Sequence, residues 1–157
     1  MAESMQVDAG SEDFKGTGQC LCGTVQYMIS GEPIYSVVCH CCNCRRSTGT
    51  SFVTNTIFLK KDLKWQQSKD DALRCFEDMH TDSGTKLMRH FCQFCGSPIF
   101  ATTPLWDEIV SVFAGTLNDQ QAWKPMKEQY CDSKAPWLPD LGVTDRTCRG
   151  PGSGAPL

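Results

Sequence analysis

The chain has 157 residues, enough for one domain with a modest core. Its formal charge is -3, with no long basic segment, which argues against a nucleic-acid partner. No apolar run approaches the roughly 20 residues of a membrane span, so no membrane partner is expected either. Eleven cysteines are far more than a chain of this size normally carries. The start, Met1 to Asp8, is acidic and lacks an apolar leader core, so a cytoplasmic protein is expected, with the nucleus also open to it. In that setting cysteines read as metal ligands before they read as disulfides.

Residues 1–14 are small and polar and are expected to form a flexible tail. The first strand expected is Thr24–Ile29, which alternates and stops at Gly31. Pro33–Val38 follows and leads into a dense cysteine cluster. Cys42 to Thr48 allows one or two helical turns. Ser51–Phe58 is rich in β-branched and aromatic residues. Leu73–Phe76, Lys86–Phe91, Pro98–Ala101 and Ile109–Phe113 complete the series, with Asp82-Ser83-Gly84, Gly96-Ser97-Pro98 and Gly115 as punctuation. Residues 140–157, rich in Gly and Pro near the end, are expected to be a second flexible tail. The domain is then 15–139, and its class is mainly β, an antiparallel sheet domain stapled by metal.

Three cysteine clusters carry the chemistry. Cys20-Leu21-Cys22-Gly23 and Cys92-Gln93-Phe94-Cys95-Gly96 are Gly-terminated pairs, each half of a tetrahedron. Together they predict a closed structural zinc that ties the first strand to the late sheet. Cys39, Cys41 and Cys44 supply three thiolates to a second site. His40 and Cys42 lie between these ligands and are expected to point away, because neighbouring side chains alternate in an extended segment. The second zinc then keeps an open position, where catalytic sites differ from structural ones. A second structural zinc, completed by Cys42, His40 or a distant residue, is the other reading of the same cluster. Arg45 and Arg46 follow the last ligand, where they would screen the thiolates, hold a substrate carboxylate, or simply face solvent. Cys75, Cys131 and Cys148 stand alone and carry no assignment.

The order Gly18-Gln19-Cys20-Leu21-Cys22-Gly23, Cys39-His40-Cys41-Cys42-Asn43-Cys44-Arg45-Arg46-Ser47-Thr48-Gly49, Phe91–Phe100 and Ala135-Pro136-Trp137 resembles the glutathione-dependent formaldehyde-activating enzyme and centromere protein V family. The resemblance implies a β-tent fold with two zincs. Cys20, Cys22, Cys92 and Cys95 would hold the structural one, and Cys39, Cys41 and Cys44 the catalytic one. It also implies a carbon–sulfur lyase that handles a glutathione adduct of a small carbonyl compound, formaldehyde in the named activity. Glu128 stands where many members carry His and would move the proton. Thiolate-rich zinc is a weak Lewis acid and suits a fourth, soft ligand such as a substrate sulfur. The alternative implied by the same likeness is a non-catalytic, zinc-stabilised binding protein of the centromere protein V kind. A member acting on another small molecule is also open.

Overall fold

The computed structural model describes residues 15–121 and 123–150; the expected tail 1–14 and residues 151–157 of the other tail lie outside them. Eleven strands and one short α-helix account for its regular structure, with single 3-10 turns between them. In chain order these are β1 (Gly16–Gln19), β2 (Val25–Ile29), β3 (Tyr35–Cys39), α1 (Cys42–Thr48), β4 (Val53–Leu59), β5 (Leu63–Gln67) and β6 (Leu73–Asp78). Then come β7 (Leu87–Cys92), β8 (Pro98–Thr102), β9 (Ile109–Phe113), β10 (Lys127–Gln129) and β11 (Asp145–Arg146). The mainly β expectation holds. Every strand read from alternation is present within two residues of its expected bounds. β1, β5, β10 and β11 were not anticipated, being short or lacking an apolar period.

Two sheets form. One is three-stranded, in the order β1-β2-β5; the other is eight-stranded, in the order β11-β10-β3-β4-β9-β8-β7-β6. All pairings are antiparallel except β3 with β10 and β10 with β11, which are parallel. The core lies between the sheets. Val25, Tyr27 and Ile29 of β2 meet Phe58, Phe100, Val110 and Val112 of the large sheet. Period-two alternation then decides what the outer face carries. Tyr35, Val37 and Cys39 of β3 point there, opposite Ile57, Asn55 and Val53 of β4. The same alternation turns Ser36, Val38 and His40 inward.

The tail expected from residue 140 is a packed segment as far as Gly150. β11 pairs with β10, Thr147 N–H donates to the Glu128 carbonyl at 2.9 Å, and Cys131 N–H donates to the Thr147 carbonyl at 3.1 Å. Its composition is loop-like, but Arg146 is drawn to a buried carboxylate, its Nε lying 3.0 Å from Glu128 Oε2.

Candidate metal centres and the cavity over one of them

Cys20, Cys22, Cys92 and Cys95 converge with all four sulfurs within 4.8 Å of one another. Cys20 and Cys22 sulfurs are 3.5 Å apart, Cys22 and Cys92 sulfurs 3.8 Å. Thiolates about 2.3 Å from a tetrahedral zinc stand about 3.8 Å from each other, so the spacing fits a four-sulfur metal site. The turns that set it rely on glycine. Gly23 and Gly96 have φ of 74° and 73°, where a side chain is strained. Their N–H groups bond back to the Cys20 and Cys92 carbonyls. Val25 N–H donates to Cys20 Sγ at 3.2 Å. Cys20 and Cys92 are fully buried members of the core, so this cluster joins the β1–β2 turn to the β7–β8 turn from inside.

Cys39, Cys41 and Cys44 form the second group, on the outer face, again within 4.8 Å of one another. Cys41 is the N-cap of α1, and its sulfur accepts from Cys44 N–H at 3.3 Å. The turn at His80–Ser83 clamps the helix start. Cys42 N–H donates to Asp82 Oδ2 at 2.7 Å, Asp82 N–H donates to Asn43 Oδ1, and Asn43 Nδ2 donates to the His80 carbonyl, both at 2.8 Å. The surroundings shift the three thiols in different directions. Cys39 and Cys41 donate to Cys44 and hold its thiol well below the usual range; burial opposes this and the Arg89 guanidinium adds to it. Cys39 is pushed up for the same reason, with burial adding. Arg89 in turn lies 2.8 Å from Asp78 Oδ2, so its charge is shared between that carboxylate and Cys44.

Above the three sulfurs lies a cavity of about 150 Å3. Its walls are largely apolar, from Tyr35, Ile57, Leu87, Trp106 and Ile109, and its polar groups include Asn55, Arg89, Gln129 and Tyr130. Tyr130 has φ 57°, left-handed for a bulky residue, which turns its ring out of the line of β10 and over the cavity. Burial, then the neighbouring thiols and Asp82, push the Tyr130 phenol up, so it stays protonated. A second groove of about 530 Å3 shares Asn43 and Arg89 with this cavity and runs past Arg46, His90 and Phe91. The wider groove of about 800 Å3, by Ser36, Thr56 and Trp123, touches no cysteine.

The remaining expected site residues fall elsewhere. Arg45 does not line the cavity; its Nη1 donates to the Ser133 carbonyl at 3.1 Å. Arg46 lies on the adjoining groove. Glu128 is fully buried on the opposite face of the sheet, because β10 pairs it with Val38 while Gln129 pairs with Cys39. There its Oε1 is 2.9 Å from both His40 Nε2 and Lys134 Nζ. Burial opposes its ionisation, but Lys134, His40 and Arg146 outweigh that and hold the carboxyl below its usual range. His40 thus points away from the three sulfurs, as expected, and Cys42 is exposed. The proton-transfer role expected of Glu128 is corrected by this placement: it anchors the back of the cysteine loop. Arg89, Tyr130, Asn55 and Gln129 escaped notice in the sequence. Arg89 and Asn55, polar residues set inside otherwise strand-like runs, were the available signal.

Among the described residues, no helix is long and apolar enough to cross a membrane. A family model described as glutathione-dependent formaldehyde-activating enzyme matches residues 15–133. A curated protein of Halomonas elongata, provisionally named a glutathione-dependent formaldehyde-activating enzyme, is 26% identical over 125 residues, covering 77% of this chain and 78% of its own. A crystal structure of a Rhodobacter sphaeroides protein superposes with a TM-score of 0.53 at 20% identity, over 83% of this chain and 99% of that one, a likeness of fold. With its cysteine pairs and central triplet all inside the matched span, the chain belongs to the glutathione-dependent formaldehyde-activating enzyme family.

Proposed function

We propose that this protein is a zinc-dependent carbon–sulfur lyase, acting on the adduct between a thiol, glutathione by the family's name, and a small carbonyl compound. One observation carries the reading: three convergent cysteine sulfurs form the floor of a cavity, while the other group already has four sulfurs, two of them from buried core cysteines, and so a complete tetrahedral set. Cys20, Cys22, Cys92 and Cys95 would hold a structural zinc, and Cys39, Cys41 and Cys44 a second one. Zinc in the three-sulfur site would supply a thiophilic Lewis acid that lowers a thiol's pKa.

The protein's own groups divide the remaining work. In the synthetic direction a thiolate sulfur bonds to the carbonyl carbon, the C=O π bond breaks, and the oxygen takes a proton. The thiol has released one, so the step balances. Tyr130, protonated and over the cavity, is placed to hold a proton at that oxygen. Arg89 offsets anionic sulfur charge beside Cys44. The tail of a thiol larger than the cavity extends past Asn43 into the neighbouring groove, where Arg46 meets a carboxylate. In this reading Arg45 braces the loop at Ser133, and Glu128 holds His40. The protein's location in the cell, expected to be cytoplasmic, stays with this reading.

Cobalt-substituted protein tests it, because sulfur-to-cobalt charge-transfer bands respond to each added thiolate. Glutathione and 2-mercaptoethanol should both strengthen those bands, glutathione at the lower concentration. If neither changes the spectrum, the open three-sulfur site is wrong. If only the simple thiol does, glutathione is the wrong substrate.

A further inference from the structure

The cavity over Cys39, Cys41 and Cys44 is too large and too apolar for formaldehyde alone. An apolar cavity near 150 Å3 takes a molecule of benzene's size. Formaldehyde has two heavy atoms and no apolar surface to match Ile57, Leu87, Trp106 and Ile109. The cysteinyl end of a thiol, with its sulfur at the floor, is polar beyond one methylene and offers these walls little to pack against.

One polar group in this apolar setting has no structural reason to be there. Asn55 lies in the middle of β4, in the interior of the large sheet, where asparagine is a poor strand former. On its own face it is flanked by Val53 and Ile57 along the strand, and across it by Val37 on β3 and Phe113 on β9. The residue is 8% exposed and its Oδ1 has no hydrogen-bond partner. A buried, unpartnered amide oxygen is destabilising. Leucine has the same branched outline without that cost. Asn55 also lines the cavity, diagonally across from Cys39, and its terminal torsion is soft, so either end of the amide can face a ligand.

We infer that the cavity takes the thiol adduct of an apolar aldehyde, with the adduct's hydroxyl donating to Asn55 and a hydrocarbon group of about benzene's size packed against Ile57, Leu87, Trp106 and Ile109. This deepens the lyase reading above and rests on it for the sulfur. The adduct's hydroxyl is the former carbonyl oxygen, so an acceptor that is empty in the free protein is satisfied when the carbon–sulfur bond forms. Convergent polar groups set among apolar walls are the usual make-up of a small-molecule site, and here the polar groups gather at the cysteine end. Asn55 is then the specificity residue for the oxygen, and the apolar walls select the carbonyl compound.

Calorimetric titration of the zinc-loaded full chain with benzyl alcohol, which has the ring and the hydroxyl but cannot react, tests this directly, with methanol and toluene as controls. Benzyl alcohol should bind, and methanol should not. Asn55→Leu should fold, and should weaken benzyl alcohol about fivefold while leaving toluene unchanged or tighter. Ile109→Trp should abolish binding of both ring compounds by filling the cavity. Absence of benzyl alcohol binding to the wild type overturns the inference, as does equal affinity in the Asn55→Leu protein. Adduct formation from glutathione and benzaldehyde, followed by loss of the carbonyl absorbance, separates the two proposals. Turnover of formaldehyde with no benzyl alcohol binding sinks this inference and leaves the lyase reading standing. Ring binding without any thiol addition sinks the lyase reading and leaves the apolar, Asn55-read cavity in place.

Discussion

Glu128 has no exposed surface, yet its carboxylate lies within hydrogen-bond or ion-pair distance of His40, Lys134 and Arg146. Removing one partner from a buried ionic group strands the others, so Glu128→Ala should cost about 3–5 kcal/mol in chemical denaturation. Glu128→Gln, which can still accept from Lys134, should cost less. The pH dependence has a definite sign. The folded carboxyl titrates below its unfolded value, so its contribution is complete above about pH 4.3 and is lost as pH falls through the folded pKa. The stability gap between wild type and Glu128→Gln should therefore narrow below that pH and stay constant above it. A gap that widens on acidification would mean that the carboxyl is protonated in the native state. Thiol affinity should also fall in Glu128→Ala, since His40 sits between Cys39 and Cys41 and loses its hold.

At the scale of the element, the C-terminal strap and the cavity are mechanically joined. β11 lies beside β10, and Gly150 packs so closely on Tyr130 that a Cβ there would stand 2.2 Å from the ring's Cε2. Tyr130 is held in a left-handed conformation just past β10 and cannot easily retreat. Gly150→Ala should thus displace either the strap or the tyrosine ring over the cavity, at a cost of about 1–3 kcal/mol typical of overpacking. Thermal melts and thiol titration check it together, with both stability and affinity expected to drop. An unaffected melting temperature and affinity would show that the 143–150 strap moves aside freely. α1 makes the complementary point. Its seven residues bury no side chain entirely, and its position comes from the Cys41 cap and the clasp to the His80–Ser83 turn.

For the whole molecule the two cysteine groups differ in what they hold together. The four-sulfur group is rooted in the core through Cys20 and Cys92 and joins segments far apart in sequence, so a metal held there would contribute to folding directly, on the order of 10 kcal/mol in small zinc domains. Cys92→Ala should leave the protein unfolded or insoluble. The three-sulfur group lies on the outer face of a sheet already formed by seven of its own strand pairings. Cys44→Ser should lose about one zinc per chain while circular dichroism keeps its β signature. A Cys92→Ala protein that melts normally with two zincs removes the four-sulfur assignment. Global unfolding of Cys44→Ser would mean that both groups are structural.

The mainly β class and the division of cysteines into two groups were legible in the sequence for local reasons. Alternation marks strands of five or more residues, and glycine after a cysteine pair marks a turn that needs positive φ, as at Gly23 and Gly96. Alternation also predicted that His40 would turn away from Cys39 and Cys41. The same rule, applied across strands, shows why the role expected of Glu128 was misplaced: its face depends on pairing with Val38 in a parallel register that no local pattern encodes. β10 and β11 are too short for a period to appear, and the strap exists because Arg146 finds a buried carboxylate. Arg89, Asn55 and Tyr130 reach the cavity from β7, β4 and the end of β10. Their convergence is a product of sheet order and register, which long-range pairing sets, and so only the tertiary structure could bring them to the three sulfurs.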